Sequence, residues 1–259
     1  MKKFYLIAAM AVATLAAQAQ EKFVLSTFNG TNIEKYDGKV CNVTTNRLMF
    51  KGWNTIALPF ALTEAELNET FGNDCRLEKL VGAEACGSTI QLNFQDCKAE
   101  GLKANTPYIL FYTGQTASKK IAKETLVTDE TPALSFNVKG SNETVLMSGV
   151  QSHIDGVGLY GILAADNGEA KFVKVDETKN GFYATRCYVK LSSGTNKTLV
   201  ARHLAAGETT GIDAVAKSSE TVDVYNTAGV KVASQIKASE VNKLQPSVYI
   251  IKGQKVLVK

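Results

Sequence analysis

Histidine is scarce in this sequence, since its 259 residues include only His153 and His203. Serine and cysteine nucleophiles usually depend on a neighbouring histidine as base, and neither a G-x-S-x-G nor an H-E-x-x-H motif occurs. His203 lies in an alternating run typical of a strand face, whereas His153 lies in a polar loop beside Asp155. We therefore expect no catalytic or metal-binding histidine and no metal site.

A large excess of charge is also lacking, because 29 basic residues face 25 acidic ones and leave a net charge of +4. So small and dispersed an excess argues against a nucleic-acid partner. With 45% hydrophobic and 21% charged residues, the composition excludes a disordered or collagen-like chain. The length is that of one or two globular domains.

Long apolar runs are absent except at the start of the chain. Two lysines precede an uncharged apolar segment, Phe4–Ala16, and Ala17 and Ala19 then supply the small residues that signal peptidase recognises. The segment is shorter than the ~20 residues of a membrane span. The pattern predicts a signal peptide at residues 1–19, export through the periplasm and no transmembrane segment in the mature chain. An uncleaved N-terminal anchor is the alternative.

Cysteine is limited to five residues, an odd number, so at least one thiol has no intramolecular partner. In an oxidising compartment the others can pair. If Arg76–Gly82 and Thr89–Gln95 form a hairpin that turns near Cys86, then Cys75 and Cys97 lie opposite each other and can form a disulfide. Unpaired thiols are the alternative. No C-x-x-C motif occurs, which argues against a zinc or thioredoxin-type site.

Apolar and polar residues alternate with a period of two along much of the remaining chain. Thr55–Phe60, Ala133–Lys139 and Arg186–Leu191 each place apolar side chains at every second position, which is typical of strands with one buried face. Turns that contain glycine and asparagine separate these runs, and helical periodicity is rare. We predict an all-β fold in which residues 20–206 form a β-sandwich, jelly-roll-like or Ig-like, with one short helix.

One helix has clear boundaries in the sequence. Thr63 and Glu66 form a capping box at the start of Thr63–Phe71, Leu67 belongs to its apolar face, and Gly72 supplies a stop. We expect this helix to cover one end of the sandwich.

A small, polar segment of weak periodicity, 205–220, separates this domain from a second set of strands. We therefore place a linker and a small C-terminal β-domain at residues 207–259. Its predicted strands are Thr221–Asn226, Val230–Ala233, Val248–Lys252 and Gln254–Val258.

The C-terminal residues carry a family resemblance. Val222–Val232 has the pattern of a strand, a turn glycine and a second strand, and Leu244–Lys259 contains a Val-Tyr pair followed by a lysine-rich hairpin. These segments resemble the C-terminal sorting domain of the type IX (Por) secretion system of Bacteroidetes, and Thr210–Asp213 is similar to the entry to that domain. The motif residues are Tyr225, Gly229, Tyr249, Gly253 and Lys255.

The resemblance implies an Ig-like β-domain that the secretion machinery recognises and that directs passage across the outer membrane. It also implies removal of this tail, with the rest of the protein attached to surface lipopolysaccharide or released. In the preceding domain, Gly52–Phe60 and Leu102–Leu110 look like a module of uncharacterised secreted proteins from the same bacteria. That module brings no catalytic residues.

A glycine-rich motif, G-x-G-x-x-G, occurs at Gly156, Gly158 and Gly161. A dinucleotide site needs this loop to open a helix whose N-terminus faces the pyrophosphate. Ile162–Ala164 instead leads into an Asp-Asn-Gly turn and a further predicted strand. We interpret these residues as turn glycines and expect no cofactor.

Tyrosines are the candidate ligand-binding residues, because exposed rings stack on sugar faces. Tyr188 and Arg186 share a predicted outer strand face with Lys190 and are both candidates, and Tyr160 is a further one. A surface tyrosine that only covers neighbouring strands is the alternative. Trp53 precedes a predicted core strand and is expected to be packed.

Two adjacent carboxylate pairs, Asp129/Glu130 and Asp176/Glu177, lie in predicted turns and are interpreted as solvated loop charges. Carboxylates brought together from distant loops leave a secreted polysaccharide hydrolase as an alternative function, and a purely structural surface component is a third. The function we predict is a non-enzymatic, exported cell-surface or extracellular protein that binds glycan or a host or bacterial surface protein.

Overall fold

The structure is a computed structural model that describes residues 21–27, 31–164, 169–177, 180–194, 196–207, 221–251 and 254–258. Ala17 and Ala19 of the predicted signal peptide, most of the predicted linker and Gly253 lie outside these residues. The chain divides into two compact units, Met1–His203 and Leu204–Lys259.

The first unit is built almost entirely from strands, as the all-β prediction requires. Two short 3₁₀ turns, Glu34–Tyr36 and Lys98–Glu100, accompany them. The strands and the one α-helix are β1 (Lys22–Leu25), β2 (Val40–Met49), β3 (Gly52–Ile56), α1 (Glu64–Phe71), β4 (Arg76–Cys86), β5 (Thr89–Asp96), β6 (Tyr108–Tyr112), β7 (Ala117–Leu126), β8 (Ala133–Lys139), β9 (Thr144–Gly149), β10 (Ile154–Asp155), β11 (Tyr160–Ala164), β12 (Ala170–Lys174), β13 (Gly181–Phe182), β14 (Cys187–Leu191) and β15 (Thr198–Leu204).

The main sheet closes on itself as a cylinder of eight strands, in the order β4-β5-β15-β12-β11-β14-β9-β8 with β8 returning to β4. The sheet can close because two parts of β4 pair with different strands along the same edge. Its first residues, Arg76–Lys79, pair with β6, whereas Ala83 and Glu84 pair in parallel with β8. This closed sheet differs from the two facing sheets of the predicted sandwich. Alternation of side chains reveals that a segment is a strand but not which strand pairs with its edge.

Two hydrophobic cores lie on opposite faces of β3 and β6. Trp53 and Ile109 belong to the core that the cylinder encloses, whereas Ile56 and Leu110 belong to a second core. A three-stranded sheet, β1-β2-β7, and helix α1 contribute to the second core. Gly52–Phe60 is therefore buried at every position, and the expectation of one solvent-facing side for Thr55–Phe60 is wrong.

Helix α1 forms as its capping signals predict. The backbone N–H of Glu66 donates to Thr63 Oγ1 at 3.3 Å, and Glu66 Oε2 accepts from the backbone N–H of Thr63 at 2.7 Å. Leu67 and Phe71 are buried in the second core, and Gly72 ends the helix with a φ of 95°. The helix therefore covers the second core and not, as expected, one end of a sandwich.

The predicted disulfide between Cys75 and Cys97 is wrong, because all five cysteines are free thiols. The β4–β5 hairpin turns at Gly87, and a bulge between Leu80 and Gly82 shifts its register by one residue. The backbone N–H of Cys97 consequently donates to Leu77 O at 2.9 Å. Cys75 lies two residues further along and is not opposite Cys97.

The second unit contains one antiparallel sheet in the order β17-β16-β18-β19. Its strands are β16 (Thr221–Asn226), β17 (Lys231–Lys237), β18 (Ser247–Ile251) and β19 (Gln254–Val258), with a 3₁₀ turn at Ala238–Lys243 before β18. Val222, Val224, Tyr249 and Ile251 form its small core with Val241. In the described part of this unit, a single sheet replaces the two sheets expected of an Ig-like domain.

Candidate functional site

The turn Tyr183–Arg186 carries backbone strain directly before β14. Arg186 N donates to Tyr183 O at 3.2 Å, which closes the turn. Thr185 within it has a φ of 70°, a left-handed conformation that is costly for a β-branched residue. Two hydrogen bonds hold Thr185 there, from its N–H to Val150 O and from Ala57 N–H to its carbonyl. Strain of this kind is common at ligand-binding sites.

The side chains of this turn and their neighbours form what we call the aromatic patch: Tyr183 with His153, Arg186 with Phe50, and Tyr188, which follows the turn by two residues. Tyr183 and Phe50 are each 38% exposed. The His153 ring lies 4.9 Å from the Tyr183 ring, and the Arg186 guanidinium lies 5.7 Å from the centre of the Phe50 ring. The patch thus combines exposed rings with hydrogen-bonding groups.

Tyr188 lies on the outer face of β14, as its alternation predicted. Arg186 and Tyr188 are half-buried and Lys190 is exposed, whereas Cys187 and Val189 between them are buried. The Tyr188 ring lies 5.8 Å from the Phe182 ring. Tyr188 therefore both covers neighbouring structure and keeps an accessible edge.

The G-x-G-x-x-G glycines support Phe182 and do not open a helix. A Cβ at Gly161 would lie 3.2 Å from the Phe182 ring, and one at Gly156 would lie 2.8 Å from Asn180 O. Gly158 occupies a turn with a φ of 79°. Strand β11 follows directly, so the loop lacks the helix N-terminus that a dinucleotide phosphate needs.

Tyr160 is not part of the patch, which corrects the prediction that it is a ligand-binding residue. It is only 3% exposed and belongs to the cylinder's core. Its hydroxyl donates to Lys197 O at 3.0 Å and accepts from Lys197 N at 3.1 Å. Trp53 is 1% exposed, as expected.

A buried arginine lies behind the patch, and its burial there was not predicted from the sequence. Arg47 is on β2, in a row of side chains that face the second core, and its Nη2 donates to Thr55 O at 2.6 Å. Burial, with a smaller contribution from the charge of Arg186, lowers the pKa of Arg47 to about 9. Burial also lowers the pKa of Arg186. Among the described residues, neither arginine forms an ion pair with a carboxylate.

A second polar cluster surrounds His203, which lies on β15 as predicted. His203 Nδ1 is 2.6 Å from Oε2 of the buried Glu78, and the imidazole stacks on Trp53 with ring centres 4.6 Å apart. Arg76 lies over the rings of Trp53 and Phe111. Because Trp53 covers one face of the imidazole, the cluster has the features of a packed structural pair. The sequence carries no signal that would bring Glu78 to His203.

The two adjacent carboxylate pairs, Asp129/Glu130 and Asp176/Glu177, lie in loops. Asp129 Oδ1 accepts from Gln151 Nε2 at 3.0 Å, and Glu130, Asp176 and Glu177 are exposed. A groove of about 260 Å³ lies elsewhere, between α1 and β7, and the Lys123–Glu66 ion pair is part of its lining. Within the described residues, no three His, Cys, Asp or Glu side chains are grouped as metal ligands.

Four of the five residues that resemble the sorting motif lie in the second unit's described part. Tyr225 is on β16 with its ring 5.5 Å from Lys231 Nζ, and Gly229 turns the chain with a φ of 79°. The Tyr249 hydroxyl donates to Gln245 O at 2.8 Å. Lys255 pairs with Ile250 across β18 and β19.

Comparisons with known proteins add no family to this description. No protein-family model, curated protein or solved structure matches the chain. In the portion of the chain that the structure covers, no helix is long and apolar enough to cross a membrane.

Proposed function

We propose that this chain is an exported, non-enzymatic binding protein of the cell surface or extracellular space, and that its first unit binds glycan through the aromatic patch. The observation that carries the proposal is the strained turn Tyr183–Arg186, which presents Tyr183 beside His153 and Arg186 beside Phe50. Sugar rings have apolar faces that stack on aromatic rings and hydroxyls that need donors and acceptors. The patch offers both kinds of group on one surface.

The second unit supports the proposal through the positions of its strands along the sequence and not through a ligand site. We propose that it is the sorting and anchoring device, because its described strands β16 to β19 coincide with the segments that resemble the type IX sorting domain. In that case the secretion machinery is its partner, and the protein reaches the outer surface of a bacterium of the Bacteroidetes.

Removal of the Tyr183 ring tests the glycan site. A glycan array and titration calorimetry on the chain from residue 20 onward are expected to identify a polysaccharide whose affinity falls about tenfold or more in Tyr183→Ala. Tyr188→Ala is expected to weaken binding by a smaller factor, because Tyr188 is half-buried against Phe182.

Tyr225→Ala is the matched control, because it removes a partly exposed tyrosine from the second unit. Equal affinity of all three variants and the unmodified chain would contradict a site at the patch. Release of reducing ends from the bound polysaccharide, abolished by substitution of one Asp or Glu, would contradict the non-enzymatic function and favour a hydrolase.

A further inference from the structure

We infer that the aromatic patch selects acidic glycans, with Arg186 binding a carboxylate or sulfate group of the sugar; this inference rests on the proposed glycan-binding function. The shared chemistry is an anionic oxygen group attached to a sugar ring. Rings at Phe50 and Tyr183 would contact the sugar while the Arg186 guanidinium beside Phe50 binds the anion.

Arg186 and Arg47 have no acidic partner in the described structure. Several of the chain's other cations have one: Lys39 pairs with Glu21, Lys123 with Glu66 and Lys231 with Asp223. Arg47 is buried and Arg186 is half-buried, yet no described carboxylate pairs with either. A buried cation is normally paired with an anion. An anionic group of a ligand would therefore neutralise positive charge that no described carboxylate of the protein neutralises.

The positive charges of Arg186 and Arg47 reinforce each other. Arg47 Nη2 bonds to the carbonyl of Thr55, and Thr55 Oγ1 accepts from the backbone N–H of Cys187, the residue after Arg186. The two guanidinium groups therefore belong to one hydrogen-bonded region. Partial burial lets their field act on a bound anion with less screening than at an open surface.

The geometry around the Arg186 guanidinium also suits an anion. A guanidinium that stacks beside an aromatic ring keeps its N–H donors at its edge, in a planar fork that matches a carboxylate or a sulfate. Phe50 gives Arg186 such a neighbour at 5.7 Å. Lys190 lies on the outer face of β14 as well, but it is exposed and has no ring beside it in the described contacts.

The test compares each acidic polymer with its neutral counterpart on the chain from residue 20 onward. Polygalacturonate is paired with its carboxyl-reduced form, and dextran sulfate is paired with dextran. At least one acidic polymer is expected to bind about tenfold or more tightly than its counterpart. Arg186→Gln is expected to abolish this preference, and Arg186→Lys to retain part of it. Lys190→Gln, which also removes one positive charge from β14, is expected to preserve it.

The outcomes separate this inference from the proposed function. Binding of a neutral glycan that needs Tyr183 but shows no acidic preference would overturn the inference and leave the proposed function standing. Equal losses in Arg186→Gln and Lys190→Gln would identify non-specific charge attraction and would also overturn it. Failure to bind any glycan on the array would overturn the proposed function and the inference with it.

Discussion

At the scale of single residues, the contact between Glu78 and His203 joins two polar side chains that lie 125 positions apart in the sequence. The Glu78 side chain is 3% exposed, and His203 Nδ1 lies 2.6 Å from its Oε2. A hydrogen bond to a charged group contributes about 1.5–3 kcal/mol, and loss of the partner leaves the carboxylate desolvated. His203→Ala is therefore expected to lower the free energy of unfolding by about this amount, as measured by urea denaturation.

A second substitution distinguishes an orphaned carboxylate from lost packing on Trp53. Glu78→Gln in the His203→Ala background removes the buried charge while keeping the shape of the side chain, and it is expected to recover part of the lost stability. If the double variant is no more stable than His203→Ala alone, the stacking of His203 on Trp53, and not the Glu78 contact, carries the stabilisation.

At the scale of secondary-structure elements, one aspartate organises the β16–β17 hairpin. Asp223 Oδ2 accepts from Lys231 Nζ at 2.6 Å, and Oδ1 accepts from Gln235 N and Ser234 Oγ. Gln235 has a φ of 53°, and the pairing of β16 with β17 is irregular here. The side chain of Asp223 thus supplies hydrogen bonds where the strand ladder is interrupted.

These hydrogen bonds predict acid sensitivity of the second unit. The Lys231 contact, followed by the bonds from Gln235 and Ser234, lowers the pKa of Asp223 from 3.8 to about 2. A depressed folded-state pKa stabilises the fold above the unfolded value and is lost as pH falls through the folded value. Stability of this hairpin is therefore expected to decline between about pH 4 and pH 2.

Amide exchange at β16 and β17, followed over this pH range, measures the effect. Asp223→Asn keeps the size of the side chain but cannot titrate, so its exchange protection is expected to be lower at neutral pH and to change little on acidification. An unchanged pH profile in Asp223→Asn would show that another group causes the acid response.

Local signals explain which elements the sequence could predict. The capping box at Thr63 and the turn glycine Gly229 depend on residues a few positions apart, and both α1 and the β16–β17 turn form where expected. The position of Glu78 opposite His203 depends on residues 125 positions apart and on the bulge in β4. The local alternation of apolar and polar residues predicts neither the contact of Glu78 with His203 nor the bulge.

At the scale of the whole molecule, closure of the sheet explains why the site was only partly predictable. Alternation placed Tyr188 of β14 and Arg186, the residue before this strand, on one face. It could not show that β11 would bury Tyr160 inside a closed cylinder, or that β2 would bring Arg47 behind Arg186. These positions follow from long-range pairing, whose register a short strand does not specify by itself.

The same long-range packing determines the chemistry of the five cysteines. Burial raises the pKa of the Cys97 and Cys187 thiols to about 12 and also raises the pKa of Cys41 and Cys75. The thiolate is the reactive form, so these four are expected to be unreactive in the folded chain at neutral pH. Cys86 is exposed at the end of β4 and is expected to react alone.

Thiol titration without reductant tests this distribution in the whole chain. One thiol per molecule is expected to react in the native protein and five after denaturation, and Cys86→Ser is expected to reduce both counts by one. A count of three after denaturation would restore the disulfide that the structure excludes. Because four buried thiols contribute packing and not cross-links, reductant is expected to leave the thermal midpoint unchanged, and a fall in the midpoint would show that a disulfide supports the fold after all.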